Sequence, residues 1–400
     1  MFVAASRNAR RSPPSTHPAP QLITDARVDA CVVGAGLGGM LAAYLLAQHG
    51  RSVMVLEEGP IGGLHEGFAA AHLAGRAELP YAWVEERYGD DGARMAAQSC
   101  AAAIDSLEAI VLREHIACDF ERLDGYVFVP PGDEAMLERE AAAARRAGAH
   151  GVEWLARAPF ASSGGACVRY PGQAHFHPVR FLTGLAKAIR SEGGRIHCGV
   201  RCERVTHGAP AMLETDAGHR VEAELLVTCA PLAARQRMPA RAAPRIAHVV
   251  GLRVPRGSIP HALYWDASDP ARWAMLRSQG SGAGEVLLAG GEDPASDDDD
   301  HTAYRYLALE RWARERFPVT GDVVLRFTGE VAPAPDLFAV QAAPDRDRGT
   351  LHVAAGEWGT SMTRAMIAAL VLRDFALGAD LSSAELYLPT PLGARSRGAP

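Results

Sequence analysis

The stretch from Val32 to Glu57 constrains this chain more than any other. It reads Val32-Val33-Gly34-Ala35-Gly36-Leu37-Gly38-Gly39, an apolar run to Gly50, then Ser52-Val53-Met54-Val55-Leu56-Glu57. An apolar strand, Gly-x-Gly-x-x-Gly, a helix and a second strand ending in an acid form the dinucleotide-binding βαβ fingerprint in its required context. Each glycine has a separate task. Gly34 permits the tight turn out of the strand, Gly36 lets a pyrophosphate approach the backbone, and Gly39 lets the helix pack closely on the sheet. The helix start, spanning Ala35, Leu37 and Gly38, turns N–H groups and a positive dipole end toward the phosphates. Glu57 is placed to accept hydrogen bonds from ribose hydroxyls, which disfavours a ribose 2′-phosphate.

At 400 residues the chain exceeds one compact domain of modal size, so two lobes are expected. A hydrophobic share of 48% and a net charge of −6 describe an ordinary globular protein with no reason to seek nucleic acid or an anionic membrane. Seven scattered cysteines, with no Cys-x-x-Cys pair and no Cys/His ligand spacing, predict reduced thiols, a cytoplasmic setting and no metal. Residues 1–27, rich in Arg, Pro, Ala and Ser, read as a disordered tail, and 381–400 as a C-terminal tail. No stretch reaches the ~18 continuous apolar residues of a membrane span.

Further along, helical spacing of Cys100, Ile104, Leu107, Ile110 and Val111 predicts a helix from about Gly92 to His115. Gly125–Val129 reads as a strand, Asp133–Ala147 as a helix, and His177-Pro178 opens a helix that stops at Gly193-Gly194. Strands follow near Arg195–Cys198, Arg201–Thr206, Met212–Thr215 and Ala223–Cys229. A helix is expected over Tyr304–Arg316 after an acidic solvated loop, Asp297–Asp300. Thr350–Gly356 reads as a strand feeding an apolar helix, Met362–Leu377, a second candidate cofactor contact.

With these pieces in order, residues 28–390 resemble the FAD-dependent oxidoreductases of the D-amino-acid oxidase (glycine oxidase-like) superfamily, nearest the branch that often carries a C-terminal Rieske domain. The resemblance rests on the fingerprint, Ala71-His72-Leu73, Cys118–Tyr126, Gln173–Pro178, Leu287–Glu292 and Val353–Gly356 followed by Met362-Thr363. It implies an α/β fold: a discontinuous Rossmann-like FAD-binding domain (28–75, 172–235 and 346–380) and an α+β substrate domain on a mixed sheet (76–171 and 236–345). It implies FAD as cofactor, with Glu57 at the adenosine ribose and Glu58 nearby. The backbone at Cys202 would run along the adenine, and Cys229-Ala230 would cross near the pyrophosphate. His72 and Leu73 would line the flavin, and Gly356 to Met362-Thr363 would pass beside its ring.

The chain departs from the family pattern in places. No cysteine follows Cys229, so a Rieske ligand set cannot lie in these residues. Val331 stands where amino-acid oxidases place a carboxylate-binding arginine. Leu337–Gln341 replaces a glycine-containing turn, and Ser361 replaces a glycine. Arg326 is a candidate replacement clamp. His175, Trp358, His65, Glu66, Tyr126 and Tyr264 are candidate pocket residues, and His177 is expected to shape its helix start. The expected function is oxidation of a small amine, amino acid or related substrate by hydride transfer to FAD, with oxygen or an external acceptor taking the electrons. Two alternatives stay open: a catalytically degenerate FAD-binding protein acting with a partner, and an NAD-dependent dehydrogenase.

Overall fold

In the computed structural model, the described residues are 19–62, 72–74, 80–130, 132–159, 165–206, 208, 210–229, 245–268, 271–278, 285–294, 299–317, 321–331, 343–345, 350–352 and 362–379. The chain opens with β1 (Ala26–Val33), α1 (Leu37–Gln48), β2 (Val53–Glu57), β3 (His72–Leu73) and α2 (Tyr81–Arg113). Next come β4 (Glu121–Phe128), α3 (Glu134–Arg146), β5 (Glu153–Leu155), β6 (Cys167–His175) and α4 (Pro178–Ser191). Four strands follow: β7 (Arg195–Cys198), β8 (Cys202–Thr206), β9 (Ala211–Thr215) and β10 (Arg220–Thr228). The second half runs β11 (Arg245–Val254), β12 (Ala262–Asp266), β13 (Arg272–Ser278), β14 (Glu285–Pro294) and α5 (Asp299–Arg316). It closes with β15 (Val323–Val331), β16 (Ala343–Asp345), β17 (Thr350–His352) and α6 (Met362–Ala376).

Two sheets organise these elements. The first has the order β16-β17-β10-β1-β2-β7, with the β8/β9 hairpin attached through β9 to β10. Its centre is parallel: β1 lies between β10 and β2, β7 adds to β2, and β17 adds to β10. Both faces of such a sheet must be buried, which explains the unbroken apolar runs in β1 and β2. Ala30, Val32, Val53 and Val55 pack under α1, α4 and α6, while Cys31, Val33, Met54 and Leu56 pack against the β8/β9 excursion.

The second sheet runs β15-β11-β14-β13-β12-β4-β6-β3, with β5 on β6. All its pairings are antiparallel except β12 with β4. Alternation sorts its residues. Tyr264, Ala274, Leu276, Leu287 and Ala289 face α5, whose Trp312 completes one core with Phe317 just beyond the helix end. Leu123, Val249, Leu263, Met275, Val286 and Leu288 form the opposite face together with Trp265, Trp273 and Phe327. The fold is mixed α/β with two mixed sheets.

Several expectations shift. Residues before 28 are not all tail: Leu22 is buried in the first sheet's core, β1 begins at Ala26, and Asp25 accepts the Arg220 N–H at 2.9 Å. Ala19, Leu22, the Pro20 carbonyl and the Asp25 carboxylate dock a segment whose composition alone reads as disordered. Asp299 and Asp300 belong to α5 rather than to a loop. The helix expected from Gly92 begins at Tyr81 and is broken at Gly89, where φ is 73°. Its later half buries Cys100, Ile104, Leu107 and Ile110 in the core of α1, α4 and α6, so it serves the first lobe although its residues fall within 76–171. Conversely, β3 and the end of β6 belong to the second sheet, and β16 to the first. Among the described helices α2 alone is long and apolar enough to cross a bilayer. Its apolar stripe is nevertheless spent on these core contacts.

Candidate functional site

The turn after β1 is set by distinct demands on its glycines. Gly34 has φ 110°, a conformation side chains rarely adopt. A Cβ on Gly39 would meet the Gly34 carbonyl oxygen at 2.1 Å, so the approach of helix to strand excludes any larger residue. Gly36 is different. It is the N-cap of α1 with φ −72° and ψ 178°, extended backbone open to any residue. Nothing in the backbone conformation requires glycine there, and the absence of a side chain leaves the backbone open to close approach.

The helix start is suited to an anion. Gly36 provides no side-chain cap, the first turn holds no acid, and Leu37, Gly38 and Gly39 are buried. The positive end of the helix is therefore not neutralised by a side chain of its own first turn. Glu57 closes the other side. Its Oε2 accepts the Ala35 N–H at 2.6 Å and its Oε1 the Gly59 N–H at 2.7 Å, tying the end of β2 to the glycine turn. Each oxygen keeps a further lone pair. Glu58, next in the chain, is exposed. Backbone bonds gather the neighbouring strand ends: Gly34 N–H to Leu56 O, Cys229 N–H to Val33 O, Val200 N–H to Glu57 O and Gly62 N–H to Ala35 O. The structure thus brings Gly34–Gly39, Glu57 and Cys229 to one crevice at the carboxyl ends of the parallel strands, where open α/β sheets bind ligands. These residues fit a dinucleotide.

The remaining candidates divide. Thr363, at the start of α6, donates from Oγ1 to Ala74 O at 3.1 Å, so that helix start is joined to the strand holding His72 and Leu73. Met362 and Leu73 are buried in the core beneath. Cys202 is buried behind the sheet, its thiol donating to Arg204 O; burial pushes that thiol up to about 11. Ala230, Gly356, Ser361, Trp358, His65, Glu66 and Gln341 lie outside the described residues, and Val331 is described only as the last residue of β15. Tyr126 and Tyr264 are not pocket residues: their rings stack at 6.0 Å within the core under α5. Arg326 is not a clamp either. It alternates onto the α5 side, pairs with Glu310 at 3.4 Å and lies over the Tyr306 ring. His177 is the N-cap of α4 and acts through its backbone, its N–H donating to Cys118 O at 2.7 Å.

At one end of the second sheet lies a polar group that joins the candidate His175 to residues not singled out in the sequence. Strand pairing sets Glu121 opposite His175, and His175 is in turn paired with His72 of β3. His175 Nε2 lies 3.5 Å from Glu121 Oε2, and His261 Nδ1 lies 3.4 Å from the same oxygen. Arg277, two residues after Met275 on the same face, lies beside them one residue before the end of β13. It is half-buried, its Nη2 donates to Phe176 O at 3.2 Å, and among the described residues no carboxylate pairs with it. Burial pulls its pKa below the ordinary guanidinium value, with Asp119 acting against this at longer range. Burial, with help from Arg277 and His261, also pulls His175 down to about 3, so its ring is neutral. Period-two alternation could have placed Glu121, His261 and Arg277 on one face, but the strands that bring them together are distant in sequence.

Comparison with known proteins follows the same lines. The family model described as FAD dependent oxidoreductase, DAO, matches residues 29–374. The gamma-glutamylputrescine oxidoreductase of Escherichia coli (strain K12) is 32% identical over 198 residues, 48% of this chain and 46% of that protein. A relative described as a Rieske 2Fe-2S iron–sulfur protein, YhfW of Bacillus subtilis (strain 168), is 22% identical over 211 residues, 52% of this chain and 41% of its own length. The chain thus spans less than half the length of both relatives. Glycine oxidase from Geobacillus kaustophilus has the same fold, with a TM-score of 0.74 at 19% identity, covering 92% of this chain and 100% of that one.

Proposed function

This chain belongs to the DAO family of FAD dependent oxidoreductases, and from that premise we propose that it oxidises a small amine or amino acid bearing a carboxylate. Bound FAD supplies the acceptor for the hydride removed from the substrate. The observation that carries the reading is Gly36: glycine stands at an extended position that the backbone leaves open to any residue, beside a helix start without a side-chain cap.

The roles follow from chemistry. The turn from Gly34 through Ala35, Leu37 and Gly38 to Gly39 receives the pyrophosphate, with Cys229 alongside. Glu57 keeps the turn in shape through Ala35 N–H and directs its remaining lone pairs to the ribose, with Glu58 beside it. The start of α6, at Met362 and Thr363, stands against the strand of His72 and Leu73. A positive helix end there favours negative charge on a ring placed next to it. Arg277 offers the substrate carboxylate a charge-assisted partner, taking the part that Val331 leaves vacant and Arg326 is turned away from. Electrons leave to oxygen or an external acceptor.

The test begins with colour. The purified protein should be yellow and should release FAD on denaturation, and Gly36→Val should abolish bound FAD while the fold survives. A colourless protein that takes up no FAD would overturn the assignment. Anaerobic bleaching across amines and amino acids then names the substrate, and a yellow protein that none of them bleaches would favour a degenerate binder.

A further inference from the structure

We infer that Glu121, His175 and His261 form a binding site for one divalent transition-metal ion, fitted to Zn2+, at the end of the second sheet. Their ligand atoms all lie within 4.8 Å of one another. Glu121 Oε2 is 3.5 Å from His175 Nε2 and 3.4 Å from His261 Nδ1. Two ligands held on a tetrahedral metal at about 2.0–2.1 Å stand roughly 3.3 Å apart, so both measured edges need only a small inward movement. Two imidazoles and a carboxylate are a borderline donor set, suited to zinc and its neighbours rather than to calcium or magnesium.

The surroundings of the ligands carry the inference further. His261 does not stand alone: its second nitrogen, Nε2, lies 3.7 Å from Glu285 Oε1. Glu285 is itself buried and accepts the Gly257 N–H at 3.1 Å through its other oxygen. A carboxylate behind the distal nitrogen is the arrangement that orients metal-binding histidines. His175 is 7% exposed and fixed in a strand paired on both sides, so one ligand is rigid. Its Nδ1 has no partner among the described residues. Glu121 and His261 are the more exposed pair, which gives the ion a route in and a water a fourth position. Two carboxylates, Glu121 and Glu285, outweigh the single positive charge of Arg277.

The site joins the start of β4, the end of β6 and the entry to β12, and it needs no flavin. Its test is correspondingly separate. The full-length protein, freed of metal with a chelator and dialysed, is titrated with ZnCl2 by calorimetry, and metal content is counted after desalting. One Zn2+ per chain is expected. His261→Ala and Glu121→Gln should each weaken binding at least about 100-fold, and Glu285→Gln roughly 10-fold. Arg277→Gln should tighten it by removing the opposing charge, and the exposed His150→Ala should leave it unchanged. Far-UV circular dichroism and flavin content report whether each variant is folded. No saturable binding by the wild-type chain, or equal binding by folded His261→Ala and Glu121→Gln, overturns the site.

Discussion

Single residues in this protein carry either the backbone or the ligand, and Gly34, Gly36 and Gly39 separate the two. Gly34 is demanded by its positive φ and Gly39 by the 2.1 Å approach of a notional Cβ to a carbonyl oxygen. Gly39→Ala must therefore push helix from strand. We expect it to cost several kcal/mol, more than the ~1 kcal/mol of an ordinary substitution, read as a lower denaturation midpoint with bound FAD lost in parallel. Gly36→Val should spare the fold and lose only the cofactor. The fingerprint was legible because its function needs residues close in sequence. Arg277 and Arg326 show the contrary case. Both are arginines in antiparallel strands, and only pairing decides that one meets Glu310 on the α5 side while the other faces His175 with no acid partner among the described residues.

Among the elements, α2 shows how a helix start is secured from outside its own sequence. Pro80 caps it without a side-chain bond, and the first turn contains no acid. Glu140 of α3 supplies what is missing. Its carboxylate accepts the N–H groups of Tyr81 and Ala82 at 2.9 and 3.1 Å and the Tyr170 hydroxyl at 2.7 Å, and it is 4% exposed. Glu140→Ala would remove the carboxylate acceptor from two buried donors and a half-buried one and should cost about 3 kcal/mol by denaturant unfolding. Exposed Glu138→Ala on the same helix should stay within about 0.5 kcal/mol. Helix spacing announces α2, α3, α4 and α6 to within a few residues, except that α2 begins eleven residues early. The apolar period read from the sequence starts at Cys100, in the core of the first lobe, whereas the earlier turns are held by Tyr81, Val84, Ala93 and Ala96 on a different core.

Taken whole, the molecule sets a nucleotide crevice in one sheet and a polar group at the end of the other. If Arg277 anchors a substrate carboxylate, Arg277→Gln should raise KM about 10- to 100-fold with a smaller change in kcat, and Arg277→Lys should fall between. The same Gln variant should tighten Zn2+ binding, so steady-state kinetics and calorimetry move in opposite directions. An arginine that only braces Phe176 O would leave KM unchanged, while the charge effect on the metal site would remain. By itself, the sequence determined the dinucleotide fingerprint, the parallel order of β1 and β2 and most helices, because these depend on contacts local in the chain. Only the tertiary structure decided that Glu121, His175, His261 and Arg277 meet, that Tyr126 and Tyr264 are core, and that α2 serves both lobes. Those outcomes depend on strand pairings such as β4 with β12, more than a hundred residues apart, and no local periodicity records which strands will pair.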